Sequence, residues 1–193
     1  LDHFAHMYEP QGVARRALAA ACVEDPGYNL SAEYRIPLHV YWRSRGDALT
    51  AVGQRFAPAI VFADAAFDAL QLAGDWTHTH EPWAWLGRTG TVYLRAEAPV
   101  DAVRLRVWPT PRYYDGKTIS LKLTVEDATL AALTLTGDRP QTLVAPLPGP
   151  LAPGEILAVT LEPSLTFDPA AQIGGGDHTP KSLMVGEIGL TNQ

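Results

Sequence analysis

The chain has 193 residues, is 47% hydrophobic and 19% charged, and carries a formal net charge of -6 with a pI near 5.4. That length supports one well-buried core, since a domain near this size removes roughly 70% of its unfolded surface from water, and the composition excludes a disordered ground state. Lys117, Lys122 and Lys181 are the only lysines among fifteen basic residues, so the other twelve are arginines, scattered along the chain; without a clustered basic stripe, no nucleic-acid partner is expected.

Cys22 is the only cysteine, which excludes an intrachain disulfide and a cysteine-built zinc site. No apolar run approaches the roughly eighteen residues of a membrane helix. The chain opens at Leu1 with no basic segment followed by an apolar one, so a leader is expected to be absent or already removed. An extracytoplasmic setting is the expectation, within a larger parent chain or beside a protein partner.

The first predicted element is a helix over Pro10 to Glu24, rich in Ala, Arg and Leu and opened by a proline suited to a first turn. Asp25-Pro26-Gly27 ends it. From Tyr34 the residues RIPLHVYW alternate loosely and read as a strand, with Pro37 at an edge or entry position. A boundary is placed near residue 56, giving an N-terminal helix-and-strand appendage over 1–56 and a main domain over 57–193. Ile60 to Phe62 reads as a buried strand, followed by a short helix or extended segment ending at Gly74.

After Gly90 the segments TVYLRAEA, DAVRLRVWP, TISLKLTVED, ATLAALTLTG, QTLVAPLP and EILAVTLEP alternate with period two, and Leu183 to Leu190 supplies a last strand. Repeated period-two segments separated by Pro- and Gly-rich turns, with no amphipathic helices between them, predict antiparallel strands with one face buried. The expected fold is therefore mainly β: an antiparallel, jelly-roll-like β-sandwich with a short helical appendage.

Between the ambiguous segment and the first clear strand lies GDWTHTHEPWAWL, which holds Trp76, Trp83 and Trp85 with His78, His80 and Glu81. Aromatic faces bury the C–H face of a pyranose while rim polar groups take its hydroxyls, so this block is the expected glycan contact. Trp83 and Trp85, two residues apart, share one side of an extended chain and are expected to plug one end of the sandwich. Trp76, His78, His80 and Glu81 are then the expected ligand residues. Tyr113 and Tyr114, in the aromatic loop after Trp108, are secondary candidates; they point to opposite sides if extended, one inward and one exposed.

His78 and His80 lack the spaced third ligand of an ordinary zinc site. The acids at turns suit local backbone bonding; some would suit a structural calcium ion, although no EF-hand-like spacing is present, and no cofactor is otherwise expected. None of the five serines stands in a G-x-S-x-G elbow. The Gly174-Gly175-Gly176 run opens no helix after a strand, so it lacks a phosphate cradle.

The opening Gly74-Asp75-Trp76, Glu81 and Trp83-x-Trp85 block, and the closing Asp177 followed by Lys181-Ser182-Leu183-x-Val185-x-x-Ile188-x-Leu190, carry a resemblance. The region from about Phe62 to Leu190 resembles carbohydrate-binding-module-like β-sandwich domains appended to bacterial glycosyltransferases and other polysaccharide enzymes. Those domains show Arg and then Leu-Gly in the closing motif, where this chain has Lys181 and Leu183-Met184. The resemblance implies a noncatalytic accessory domain with a glycan or polysaccharide partner, and it carries over no catalytic residues. The competing expectation is a structural or assembly domain with no small ligand.

Overall fold

The computed structural model describes residues 23–24, 41–42, 53, 56–63, 71–78, 82–125 and 128–193. The chain divides into two compact units, Leu1–Arg55 and Phe56–Gln193. In the first unit, β1 (Val23–Glu24) pairs antiparallel with β2 (Tyr41–Trp42). The end of the expected helix is thus extended, because Val23 and Glu24 find a ladder partner that outweighs helix propensity; the rest of that expected helix, and the start of the strand from Tyr34, lie outside the described residues.

The second unit is antiparallel β. Its strands are β3 (Ala59–Val61), β4 (Leu72–His78), β5 (Ala84–Arg95), β6 (Val100–Trp108), β7 (Ile119–Val125), β8 (Ala128–Leu135), β9 (Gln141–Leu151), β10 (Ile156–Pro163) and β11 (Met184–Thr191). They form two leaves: β8-β7-β10-β5-β4 and β9-β6-β11-β3, joined where Ala84 and Trp85 of β5 pair with Val185 and Met184 of β11. Each predicted alternating segment from Thr91 onward appears as a strand. Within this unit β4 is a strand that the polar, turn-rich sequence over 74–78 does not predict.

Alternation explains the packing. Val92 and Leu94 of β5, Leu121 and Leu123 of β7, and Val159 and Leu161 of β10 meet Ile60, Val103, Leu105, Val107 and Ile188 of the other leaf in one core cluster. Burying each such side chain is worth about 1.5–3 kcal/mol, which makes these inward positions the ones that hold the sandwich together. In β11 the pairing slips between Val185 and Glu187. This bulge keeps Val185 and Ile188 both inward and leaves Glu187 on the outer side.

Two places on the second leaf, the β9 margin and the entry to β3, are closed by specific residues. Among the described residues β9 borders β6 alone, and it carries Pro146, Pro148 and Pro150, which lack the N–H that an added strand would need. At the entry to β3, the buried amide of Gln71 accepts from Ala57 N at 3.2 Å and donates to Ala57 O at 3.0 Å and Tyr93 O at 2.8 Å. It replaces the ladder bonds that this irregular backbone lacks. Among the described residues no helix is long and apolar enough to cross a membrane.

Candidate functional site

The tryptophans divide between the two sides of the sheet. Trp76 pairs with Leu86, whose side chain is fully buried, and so points inward. Its ring packs on Phe62 with centroids 5.6 Å apart, and its Nε1–H donates to Ala73 O at 3.1 Å. A Cβ added at Gly90 would lie 2.6 Å from the indole. Gly90 is therefore glycine because the Trp76 ring occupies the space a side chain would fill. The expected ligand residue Trp76 rests against the core, with its only hydrogen-bond donor already engaged.

The opposite side of the strands carries the other rings, of which Trp85 and Tyr113 also pack against buried Phe167 of the core cluster. Val103, Leu105 and Val107 fix the inward phase of β6, so Arg104, Arg106 and Trp108 face outward. Met184 pairs with Trp85 on one side and Trp108 on the other. That register sets Trp85, Met184 and Trp108 in a row across three strands, the two tryptophan backbones about 9.5 Å apart at the usual strand spacing. Trp83 lies on the glycine of the β11 bulge: a Cβ at Gly186 would come within 2.8 Å of the ring. It meets Trp108 edge-on at 5.9 Å, and the Arg106 guanidinium stands 4.9 Å over its centroid. The Trp108 Nε1–H donates to Asp138 at 2.8 Å.

From Trp85 the row continues into the loop after β6. A single 3-10 turn, Pro111–Tyr114, is bracketed by Thr110 (φ 51) and Asp115 (φ 53). Left-handed backbone costs a non-glycine residue roughly 1–2 kcal/mol, so something must hold it. Tyr114 does: it is 6% exposed, packs edge-on against Phe167, and its hydroxyl donates to Ser182 O at 2.7 Å. Burial pushes its phenol up to about 12. Tyr113 is thereby stacked on Phe167 at 4.5 Å and set edge-on to Trp85 at 5.9 Å, half-buried, with the Arg112 guanidinium 4.9 Å over its ring.

The long loop before β11 closes this end. Phe167 and Lys181 exchange backbone hydrogen bonds, and the Lys181 ammonium lies 5.9 Å over Trp85 while pairing with Asp177 at 2.5 Å. That ammonium holds the Asp177 carboxyl below the usual carboxylate range. Asp168 caps the short helix α1 (Pro169–Ile173) by accepting from Ala170 N at 2.9 Å, and its other oxygen meets His178 Nδ1 at 3.0 Å. The hydrogen bond lowers the Asp168 pKa and raises that of His178.

Among the sequence-predicted residues, Tyr113 belongs to this row, Tyr114 is its buried support, and Trp76 lies on the inner side. His78 is the last residue of β4, opposite Ala84; its side chain, like His80 and Glu81, lies outside the described residues. Trp83 and Trp85, expected as end plugs, differ from each other: Trp85 abuts the core, whereas Trp83 rests on Gly186 outside it. Arg106, Met184 and Phe167 were not anticipated, although the inward phase of β6 already gives the outward direction of Arg106. Among the described residues no group of three or more His, Cys, Asp or Glu side chains stands together as a metal site.

No family model and no curated protein matches the chain. Among solved structures it is similar to carbohydrate-binding modules. One is a family 6 module from Clostridium stercorarium in complex with cellobiose, at 9% identity and a TM-score of 0.41 over 71% of this chain and 95% of that one. Another is a family 6 module studied by binding sub-site dissection, at 9% identity and a TM-score of 0.38 over the same shares, 71% and 95%. A third is a family 36 module in complex with calcium and xylotriose, at 14% identity and a TM-score of 0.34 over 55% of this chain and 76% of that one.

Proposed function

We propose that the second unit is a noncatalytic glycan-binding module whose contact surface is the outer aromatic row of Trp83, Trp108, Trp85 and Tyr113. The observation that carries this reading is the row itself. Four half-buried rings lie across β5, β6 and the following loop, each supported from below or beside and each bordered by polar groups. A pyranose laid on such a ring buries its apolar C–H face, and the rim takes its hydroxyls. Because Gly186 and Met184 hold the indoles in place before any ligand arrives, little ordering entropy remains to oppose binding. The acids bordering the row are engaged: Glu187 with Arg104, Asp177 with Lys181, Asp168 with His178, and Asp138 with Trp108. They position neighbours rather than stand as a free acid–base pair.

The assembly reading finds less support. Val144 and Val61 are 50% and 39% exposed on the outer side, but the Arg104–Glu187 pair stands on the strands between them, and isolated exposed apolar residues are ordinary. Isothermal titration calorimetry of the full chain against soluble neutral and acidic polysaccharides tests the proposal. Binding to at least one of them, lost in the double variant Trp83→Ala/Trp108→Ala, is the expected result. Binding to none, or a double variant that binds as the native chain does, overturns it.

A further inference from the structure

The aromatic row is flanked by cations, and they fall into two kinds. Lys181, over Trp85, gives its charge to Asp177, and Arg104 gives its own to Glu187. Arg106 and Arg112 differ: each stands 4.9 Å over an aromatic centroid, each is exposed, and among the described residues neither has a carboxylate partner. The register makes this pointed for Arg106. Its cross-strand neighbour is Glu187, yet that carboxylate pairs with Arg104 one turn of the pleat away.

A guanidinium stacked on a ring uses its face for the ring and keeps its in-plane N–H donors for something else. Those donors form a planar fork whose spacing matches a carboxylate bidentately. Two such forks stand at two places along one row, over Trp83 and over Tyr113. The chain as a whole is anionic, at -6, but repulsion from distant exposed charges is screened beyond about 8 Å at physiological ionic strength. The charges within contact range of the ligand decide: Arg106 over Trp83 and Arg112 over Tyr113 are the cations without a carboxylate partner among the described residues, against one carboxylate, Asp138, which accepts from the Trp108 indole N–H.

We infer that the row takes an acidic glycan, one whose sugar rings lie on the tryptophans while their carboxylates are held by Arg106 and Arg112. This rests on the glycan reading above and specifies its ligand class. Affinity electrophoresis and calorimetry of the full chain compare three probes: polygalacturonate, its fully methyl-esterified form, and dextran sulfate. Polygalacturonate is expected to bind at least tenfold more tightly than the ester, and the preference is expected to vanish in Arg106→Gln/Arg112→Gln, whose exposed substitutions remove two cation–π contacts and lower the melting temperature by only a few degrees. Equal binding of acid and ester overturns the inference while leaving the glycan reading standing. Failure to bind these or any neutral polysaccharide sinks both. Tighter binding to dextran sulfate than to polygalacturonate overturns the assignment to carboxylate. A Trp83→Ala variant that keeps full affinity for polygalacturonate reduces the effect to charge alone and overturns it too.

Discussion

Trp76 and Trp83 use one device on opposite sides of the sheet. Each indole lies across a strand glycine, Trp76 over Gly90 and Trp83 over Gly186, so closely that a Cβ at either glycine would come within 3 Å of the ring. On the inner side the ring packs on Phe62 against the core; on the outer side it meets Trp108 and Arg106, where the proposed glycan surface lies. The difference teaches that a tryptophan's role is set by the phase of the strand beneath it and by which neighbour yields space. Residue type alone decides neither.

The largest expected effect separates the two sides by stability. Trp76→Ala removes a partly buried ring packed against Phe62 and leaves a void over Gly90, so it should cost about 3 kcal/mol in denaturant unfolding, the low end of the range for truncating a large aromatic in a core. Trp83→Ala should cost about 1 kcal/mol, the scale of one edge-to-face pair with an exposed cation–π contact. Its effect on binding should be the greater one. A central aromatic anchor is worth about 2 kcal/mol or more, roughly thirtyfold in affinity. The comparison breaks if the two variants lose equal stability, or if Trp76→Ala abolishes glycan binding at a temperature where it is still folded.

The alternating strands from Thr91 to Leu190 were legible because period two writes the inward set directly into the sequence. Leu121, Leu123 and Val125 announce their face without reference to any other strand. The strand β4 was not legible. Among the described residues it is bordered only by β5, and its register slips between Gly74 and Trp76, so Asp75 is exposed and can accept from Arg88 N at 3.2 Å. A strand with one partner and a bulge needs little apolar alternation, and Gly-Asp-Trp-Thr-His reads as a turn. The candidate site was half legible for a related reason. The sequence displays Trp76, Trp83 and Trp85 together, but Gly90 and Gly186 are the residues that sort them. Those glycines become partners only through register, which no local pattern reveals. The bulge at Gly186 alone moves Glu187 outward and opens the bed for Trp83.

The loop end of the row offers the gentlest way to sharpen the contrast, because its supports are exposed and titrate. Asp168 and His178 meet across the loop that carries α1, with the carboxyl lowered and the imidazole raised by their shared hydrogen bond. A raised histidine contributes stability that is fully present below its unfolded value of 6.5 and is lost as pH rises through the higher folded value. A lowered aspartate contributes stability present above its unfolded value of 3.8 and lost as pH falls through the lower folded value. The pair is therefore complete between those limits and opens from the histidine side when the pH rises past the His178 folded value. Both side chains reach solvent, so screening keeps the energetic effect small. The measurable consequence is local: in NMR titration the His178 ring should titrate above 6.5, and Asp168→Asn should bring it back toward that value. The same substitution should leave Trp76 fluorescence and the unfolding midpoint nearly untouched, since the inner tryptophan shares no partner with this loop. A His178 ring that titrates at its ordinary value in the native chain would show that the loop closing the outer row is not held by this pair, leaving Lys181–Asp177 and the Phe167–Lys181 backbone bridge as its restraints.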